Sequence, residues 1–169
     1  MEAVARVTRN LSARFFVVGG PIYRSVGSQR TVEELRARAT ALGLDETGRL
    51  GFVGHQKEPA NVYRALDVVV HASTRPEPFG RVIVEGMACA RAVVVANVGG
   101  AAELFEDGVD ALGCSPGDPV ALAAILVRLA ANPALRESLG AAGRRTAVAR
   151  FDRSRLADRW SGVYAGKAK

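Results

Sequence analysis

Asp67-Val-Val-Val-His71-Ala-Ser-Thr-Arg-Pro-Glu77-Pro-Phe-Gly80-Arg-Val-Ile-Val-Glu85-Gly-Met-Ala-Cys89-Ala-Arg91-Ala-Val-Val-Val95 is the stretch from which both the architecture and the chemistry of this chain can be read. It opens on an apolar, β-branched run, Asp67 to His71, and closes on another, Ala92 to Val95. Runs without polar alternation are what strands buried on both faces require. Between them Pro78 fixes its own φ and pushes Glu77 to an extended conformation. A helix is therefore predicted from Phe79 to Ala90, with Glu77 in the loop before it and Glu85 nearly two turns in. Val82, Ile83, Val84, Met87 and Ala88 are the set expected to pack that helix on the sheet. The first-turn N–H groups of Phe79, Gly80 and Arg81 then lack intrahelical acceptors and face outward beyond the strand's carboxyl end, where open α/β sheets bind ligands. Gly80 has no side chain to keep an anion off the backbone.

The same alternation extends in both directions. Arg14 to Val18 and Leu50 to Val53 read as strands; Thr31 to Leu42 reads as a helix with Thr31 as N-cap and Glu34 three residues on, a capping box; Pro59 to Leu66 reads as a helix. From Asp118 the pattern is helical only: Asp118 to Ala131, Pro133 to Phe151 and Ser154 to Tyr164, with Pro119 and Pro133 at first-turn positions. The expected architecture is α/β, a doubly wound parallel sheet with a helical C-terminal tail. Trp160 and Tyr164, four apart in the last helix, are expected in core or interdomain packing.

Composition narrows the function classes. The 169 residues are 49% hydrophobic and carry a net charge of +6, but 20 of the 23 basic residues are Arg scattered along the chain, concentrated only between Arg144 and Arg159 among Asp152 and Asp158. That is a solvated basic face rather than a groove for nucleic acid; anionic small ligands or lipid headgroups stay open. No apolar stretch reaches the roughly 18 residues needed to cross a bilayer, and Met1-Glu2-Ala3 does not open a secretory signal. Cys89 and Cys114 form no metal-like cluster and are expected as core fillers in a reducing cytoplasm. No Gly-x-Gly-x-x-Gly follows a strand and no Gly-Lys-Ser/Thr occurs, so dinucleotide and P-loop readings lose their main support. Gly19-Gly20-Pro21 serves either ligand approach or a tight turn. His71, ending an apolar strand, is expected as a partly buried, satisfied histidine.

The central string resembles the Glu-x7-Glu segment of retaining glycosyltransferases of the GT-B fold, family 4, whose usual form is Glu-Pro-Phe-Gly, then Glu-Ala-Met-Ala, an apolar strand and Gly-Gly with a following Glu. Here the continuation is Ala92-Val-Val-Val-Ala-Asn-Val-Gly99-Gly100-Ala-Ala-Glu103, and Phe52-Val53-Gly54 and Tyr63-Arg64-Ala65-Leu66-Asp67 fit as well. The resemblance implies the Rossmann-like, C-terminal half of a GT-B fold and transfer of a sugar from a nucleoside diphosphate sugar, of UDP or GDP, to an acceptor hydroxyl with retention and no obligatory metal or other cofactor. By position it makes Glu77 the catalytic carboxylate facing the donor sugar. Glu85 becomes the acceptor of the ribose hydroxyls, and Phe79, Gly80 and Arg81 the holders of donor phosphate or sugar oxygens. Gly54, His55 and Gln56 would flank the nucleobase, though a loop histidine such as His55 is equally often merely solvated; Gly19 and Gly20 would line the donor site. The acceptor, a glycan, lipid or small molecule, belongs to an N-terminal domain, and a bacterial, cytoplasmic protein with peripheral association at the inner membrane face is implied.

Departures from the family pattern carry expectations of their own. Gly86 stands where Ala is common and costs up to about 1 kcal/mol inside a helix; Ala90 stands where Gly is common and is strained if the helix ends in a left-handed residue. Met1 to Val7 resembles the first helix of the family's C-terminal domain, with the strand that precedes it there absent. In the sheet order 3-2-1-4-5-6 that strand is central, which predicts an unpaired gap between the strands at 14–18 and 67–71. The donor domain is placed at 1–151 and the packing-back helix at 152–169, and the 169 residues alone are expected to be inactive. The rival readings are an inactive nucleotide-binding fragment and a GT-B-like epimerase acting on a nucleotide sugar.

Overall fold

The computed structural model describes residues 1–8, 10–20 and 30–165, part of the last helix by its backbone only. Pro21, and with it the end of the Gly19-Gly20-Pro21 turn, lies outside these residues. The chain divides into two compact units, one formed by Met1–Val62 with Asp118–Asn132 and the other by Tyr63–Gly117 with Pro133–Lys169. Among the described residues no single helix is long and apolar enough to cross a membrane.

The first unit holds helix α1 (Glu2–Val7), strand β1 (Phe15–Val18), helix α2 (Val32–Ala41) and strand β2 (Leu50–Val53). β1 and β2 pair in parallel, Phe15 opposite Leu50 and Val18 opposite Val53. The capping box forms as read: Thr31 Oγ1 accepts from the Glu34 N–H and the Glu34 carboxylate accepts from the Thr31 N–H. Helix α3 (Pro59–Ala65) carries the chain into the second unit, and α5 (Pro119–Ala131) belongs to the first, started by Asp118, whose Oδ1 accepts from Val120 and Ala121 N–H. Ala3 and Val7 of α1 pack on Ala123 and Leu126 of α5, with Leu11 and Phe15 beside them. Arg49, entering β2, donates to the carbonyls of Thr8 and Leu11 and so closes the end of α1.

The second unit contains the sheet that positions the site. Strands β3 (Val68–His71), β4 (Ala92–Ala96) and β5 (Leu112–Cys114) pair in parallel in that order, Val68 opposite Ala92 and Val94 opposite Leu112. β5 is absent from the sequence reading because three residues, one a glycine, show no periodicity. Helices α4 (Arg81–Ala88), α6 (Pro133–Phe151) and α7 (Arg153–Tyr164) complete the unit. The sheet found is thus β1-β2 and β3-β4-β5, with no ladder joining the two sets among the described residues. The expectation of strands buried on both faces holds for β4 alone, all five residues of which are buried. β1 alternates, leaving Phe16 and Val18 exposed on one of its two faces.

α4 begins two residues later than the predicted Phe79 because Gly80 sits at φ 87, a left-handed conformation no helix continues through. Glu85 therefore lies in the fifth helical position, just over one turn in. Ile83, Gly86 and Met87 face the sheet, while Val82 is exposed rather than packed, on the far side of the helix from Ile83 and Met87. A Cβ on Gly86 would stand 3.2 Å from Val93 and 3.3 Å from Val69, so the glycine brings α4 down onto β3 and β4. At the other end Ala90 has φ 56, and its N–H and that of Arg91 close back on the Met87 and Gly86 carbonyls at 2.9 and 3.1 Å. This is a left-handed helix stop carried by alanine. Gly140 of α6 answers it, since a Cβ there would lie 2.4 Å from the Ala90 oxygen.

Cys114 is buried as expected. Trp160 and Tyr164 are not core: both are exposed, with ring centroids 6.1 Å apart on the surface of α7. The Arg144–Arg159 run is a solvated face only in part, because Arg144 donates to the Ala88 carbonyl and Arg150 Nη2 donates to the Glu103 carbonyl at 2.7 Å.

The loop after β3 is held from the neighbouring strand. Beyond β4, Gly100 N–H donates to the Glu77 carbonyl at 2.9 Å, and a Cβ on Gly100 would fall 2.0 Å from the Pro78 oxygen. Two opposite outcomes are expected in thermal or denaturant unfolding. Ala90→Gly should raise stability by about 1 kcal/mol by removing left-handed strain. Gly100→Ala should lower it by roughly 1 to 3 kcal/mol by forcing the Glu77-Pro78 loop outward.

Candidate functional site

β3 ends at His71 and the chain crosses the carboxyl edge of the three-stranded sheet before entering α4, the position at which open parallel sheets place ligands. Pro76 and Pro78 flank Glu77, whose backbone forms a parallel bridge to Gly99. The Glu77 side chain is half-buried. Ser73 Oγ donates to its Oε1, and His71 Nε2 lies 3.3 Å from its Oε2. The Ser73 hydroxyl is the main cause that holds the Glu77 carboxyl below its ordinary pKa; partial burial opposes it and His71 adds to it. Glu77 is thereby kept as a carboxylate. His71 is buried, as expected, but it is not satisfied: neither ring nitrogen makes a well-formed hydrogen bond, and its one polar neighbour of note is the Glu77 carboxylate.

Glu85 presents a second carboxylate one turn into α4, with its side chain 32% exposed. Its two oxygens have different partners. Tyr63 Oη donates to Oε2 at 2.8 Å, from a ring packed against the core of the unit. Arg81, one turn earlier and 82% exposed, places Nε and Nη2 at 3.2 and 2.8 Å from Oε1. Burial, the hydrogen bond to Glu85 and the negative charge of that carboxylate all raise the Tyr63 pKa, so the phenol stays a donor.

A cavity of about 600 Å³ opens beside these groups, within the range of small-ligand sites. Phe79, Val84 and Phe151 give it apolar walls, and Arg81, Glu85, Arg150 and Arg153 line it with charge. Phe79 meets Phe151 edge to face, centroids 5.9 Å apart, which fixes the loop residue to the junction of α6 and α7. The Gly80 N-cap carries no side-chain cap, and Ile83 N–H turns back to the Gly80 carbonyl at 3.0 Å. Of the predicted Phe79, Gly80 and Arg81, Arg81 therefore opens the helix, Gly80 caps it and Phe79 precedes it in the loop.

The structure brings Glu77, Phe79, Gly80, Arg81 and Glu85 together in the second unit. Gly19, Gly20, Gly54, His55 and Gln56 lie in the first, directly beyond the carboxyl ends of β1 and β2. There Gly19, at φ 113, donates to the Val53 carbonyl at 2.9 Å, and Gln56 Nε2 donates to the Gly54 carbonyl at 3.3 Å. His55 is exposed. Sequence reading missed Ser73 and Tyr63, the groups that fix the two carboxylates. The signal for Tyr63 was present: a tyrosine on the inner face of a helix needs a partner for its hydroxyl.

Comparison with known proteins follows the same lines. The profile of the family "Glycosyl transferases group 1" matches residues 1–146. D-inositol 3-phosphate glycosyltransferase of Streptosporangium roseum is 36% identical over 159 residues, covering 93% of this chain and 35% of that protein. The chain thus spans about a third of the length of that curated relative. Among solved structures, Anabaena HepE in complex with UDP-glucose superposes with a TM-score of 0.86 at 33% identity, over 98% of this chain and 43% of the other. The C-terminal domain of LpcC, a group 1 glycosyl transferase from Francisella tularensis, gives 0.75 at 26% identity, over 90% of this chain and 77% of the other. A Rossmann-like sheet with two carboxylates at its carboxyl edge, matched along nearly its whole length by such proteins, places this chain in the glycosyl transferases group 1 family.

Proposed function

We propose that this chain binds the nucleotide-sugar donor for glycosyl transfer, and that the transfer it serves retains configuration at the anomeric carbon. The observation that carries the proposal is Glu85: a carboxylate oriented from below by a core tyrosine and open above to a cavity of about 600 Å³. A carboxylate so held is an acceptor for a vicinal pair of hydroxyls, such as those of a ribose. The UDP-glucose of the HepE complex makes UDP the natural first probe. Glu77, ionised and aimed by Ser73, is the group suited to face the donor sugar, where a fixed negative charge stabilises positive charge developing at the anomeric carbon. The amides at the start of α4 and the Arg81 guanidinium suit the phosphate or sugar oxygens. No metal is needed in this scheme. Recognition of the acceptor falls to sequence outside the third of the relatives' length that the chain matches.

Two measurements test it. Calorimetry should show UDP binding that weakens roughly tenfold or more when Glu85→Gln removes the charged acceptor, with no change on adding a chelator; equal affinity of the two proteins would overturn the ribose role. A pH titration of the Glu77 carboxyl by NMR should place its pKa below the ordinary range, so that its charge, and any stability drawn from it, is lost only as pH falls through that lowered value. Ser73→Ala should move this loss to higher pH.

A further inference from the structure

The two oxygens of Glu85 are held by groups of very different mobility. Oε2 receives the Tyr63 hydroxyl, from a partly buried ring packed against the core cluster of the unit, across 22 residues of sequence. Oε1 receives both of its donors from a single exposed arginine on the same helix, an i,i+4 pair of the kind that contributes little where water can replace it. A ligand hydroxyl arriving from the cavity can therefore take over Oε1 by displacing Arg81, but displacing the Tyr63 hydroxyl from Oε2 would leave a half-buried phenol without a partner. An unpaired carboxylate on a helix surface samples several χ rotamers; one pinned at one oxygen presents the other in a single direction.

We infer that Tyr63 is a positioning residue for donor recognition: its hydroxyl fixes the Glu85 carboxylate so that the ribose hydroxyls meet a preorganised acceptor, while Arg81 is the occupant they displace. This rests on the ribose role proposed above for Glu85. Tyr63 itself touches no ligand. Its removal should cost affinity only for ligands that carry the hydroxyls Glu85 accepts, which separates positioning from mere support of the fold. The strongly raised pKa of the phenol agrees with this geometry.

The experiment compares UDP with 2′,3′-dideoxy-UDP on the full chain by calorimetry. Tyr63→Phe should weaken UDP roughly three- to tenfold, leave the dideoxy compound unchanged, and add nothing in a Glu85→Gln background. Equal loss for both nucleotides, no loss for UDP, or an undiminished loss on top of Glu85→Gln would overturn the inference. A ligand-independent measurement covers the case in which Tyr63→Phe does not fold. In the chain labelled with 3-fluorotyrosine, the ¹⁹F titration of residue 63 should differ between the unsubstituted chain and Glu85→Gln, moving to lower pH in the variant while burial keeps part of the elevation. A residue 63 titration that Glu85→Gln leaves unmoved would overturn the inference as well. If instead the ¹⁹F difference is present but Glu85→Gln leaves the preference for UDP over its dideoxy form intact, the ribose role itself has failed and the Tyr63–Glu85 bond is structural.

Discussion

Backbone lies on backbone where the loop after β3 meets the turn after β4, and the contact tolerates no side chain: a methyl at position 100 would come within 2.0 Å of the Pro78 oxygen. The Gly100 N–H to Glu77 carbonyl bond and the Glu77–Gly99 bridge make the contact directional as well as close. Two prolines stiffen the loop on either side of Glu77, so the pairing fixes where its side chain emerges. The Gly80 turn that starts α4, the placement of Glu85 one turn later, and the meeting of Phe79 with Phe151 all depend on the course that this contact sets. The glycine pair thus acts on the site from a neighbouring strand without lining the cavity.

The two carboxylates are prepared for different work by their surroundings. Glu77 has a hydroxyl donor on one oxygen and an imidazole near the other, which lowers its affinity for protons and keeps the negative charge in place. Glu85 has a phenol on one oxygen and a guanidinium on the other, the first anchored in the core and the second free to leave. One arrangement preserves a charge; the other directs an acceptor.

Much of this was legible because it rests on local chemistry. The Thr31 capping box, the first-turn place of Pro119, the β-branched strand runs and the extended loop imposed by Pro78 are decided within a few residues, and they appear where the sequence puts them. The strain expected at Ala90 is there too, since a helix stop in the left-handed region is a local requirement. What escaped was set by partners distant in the chain. The three residues of β5 become a strand because β4 offers an edge, and Phe16 and Val18 are exposed because one face of β1 is left uncovered. Within the candidate site the two carboxylates were readable from the Glu-x7-Glu string, but the residues behind them were not. Ser73 is four residues from Glu77 and Tyr63 is 22 from Glu85, and only the folded path brings their hydroxyls to the carboxylates.

The interleaving of the two units bears on how the chain is made. The apolar seam of the first unit joins Ala3 and Val7 to Ala123 and Leu126, so this seam cannot close until a segment more than a hundred residues later has been synthesised. At bacterial or eukaryotic elongation rates the wait is on the order of 6 to 24 s, far longer than a helix or hairpin needs to form. Throughout that interval Ala3, Val7, Leu11 and Phe15 are a short, uncovered apolar surface on a nascent chain, while β3, α4 and β4, contiguous in sequence, can already associate. The first unit has its last segment once Asn132 is made, whereas the carboxylate-bearing unit still awaits α6, whose Ala147 belongs to its core, so the order of synthesis lets the first unit close before the second is complete.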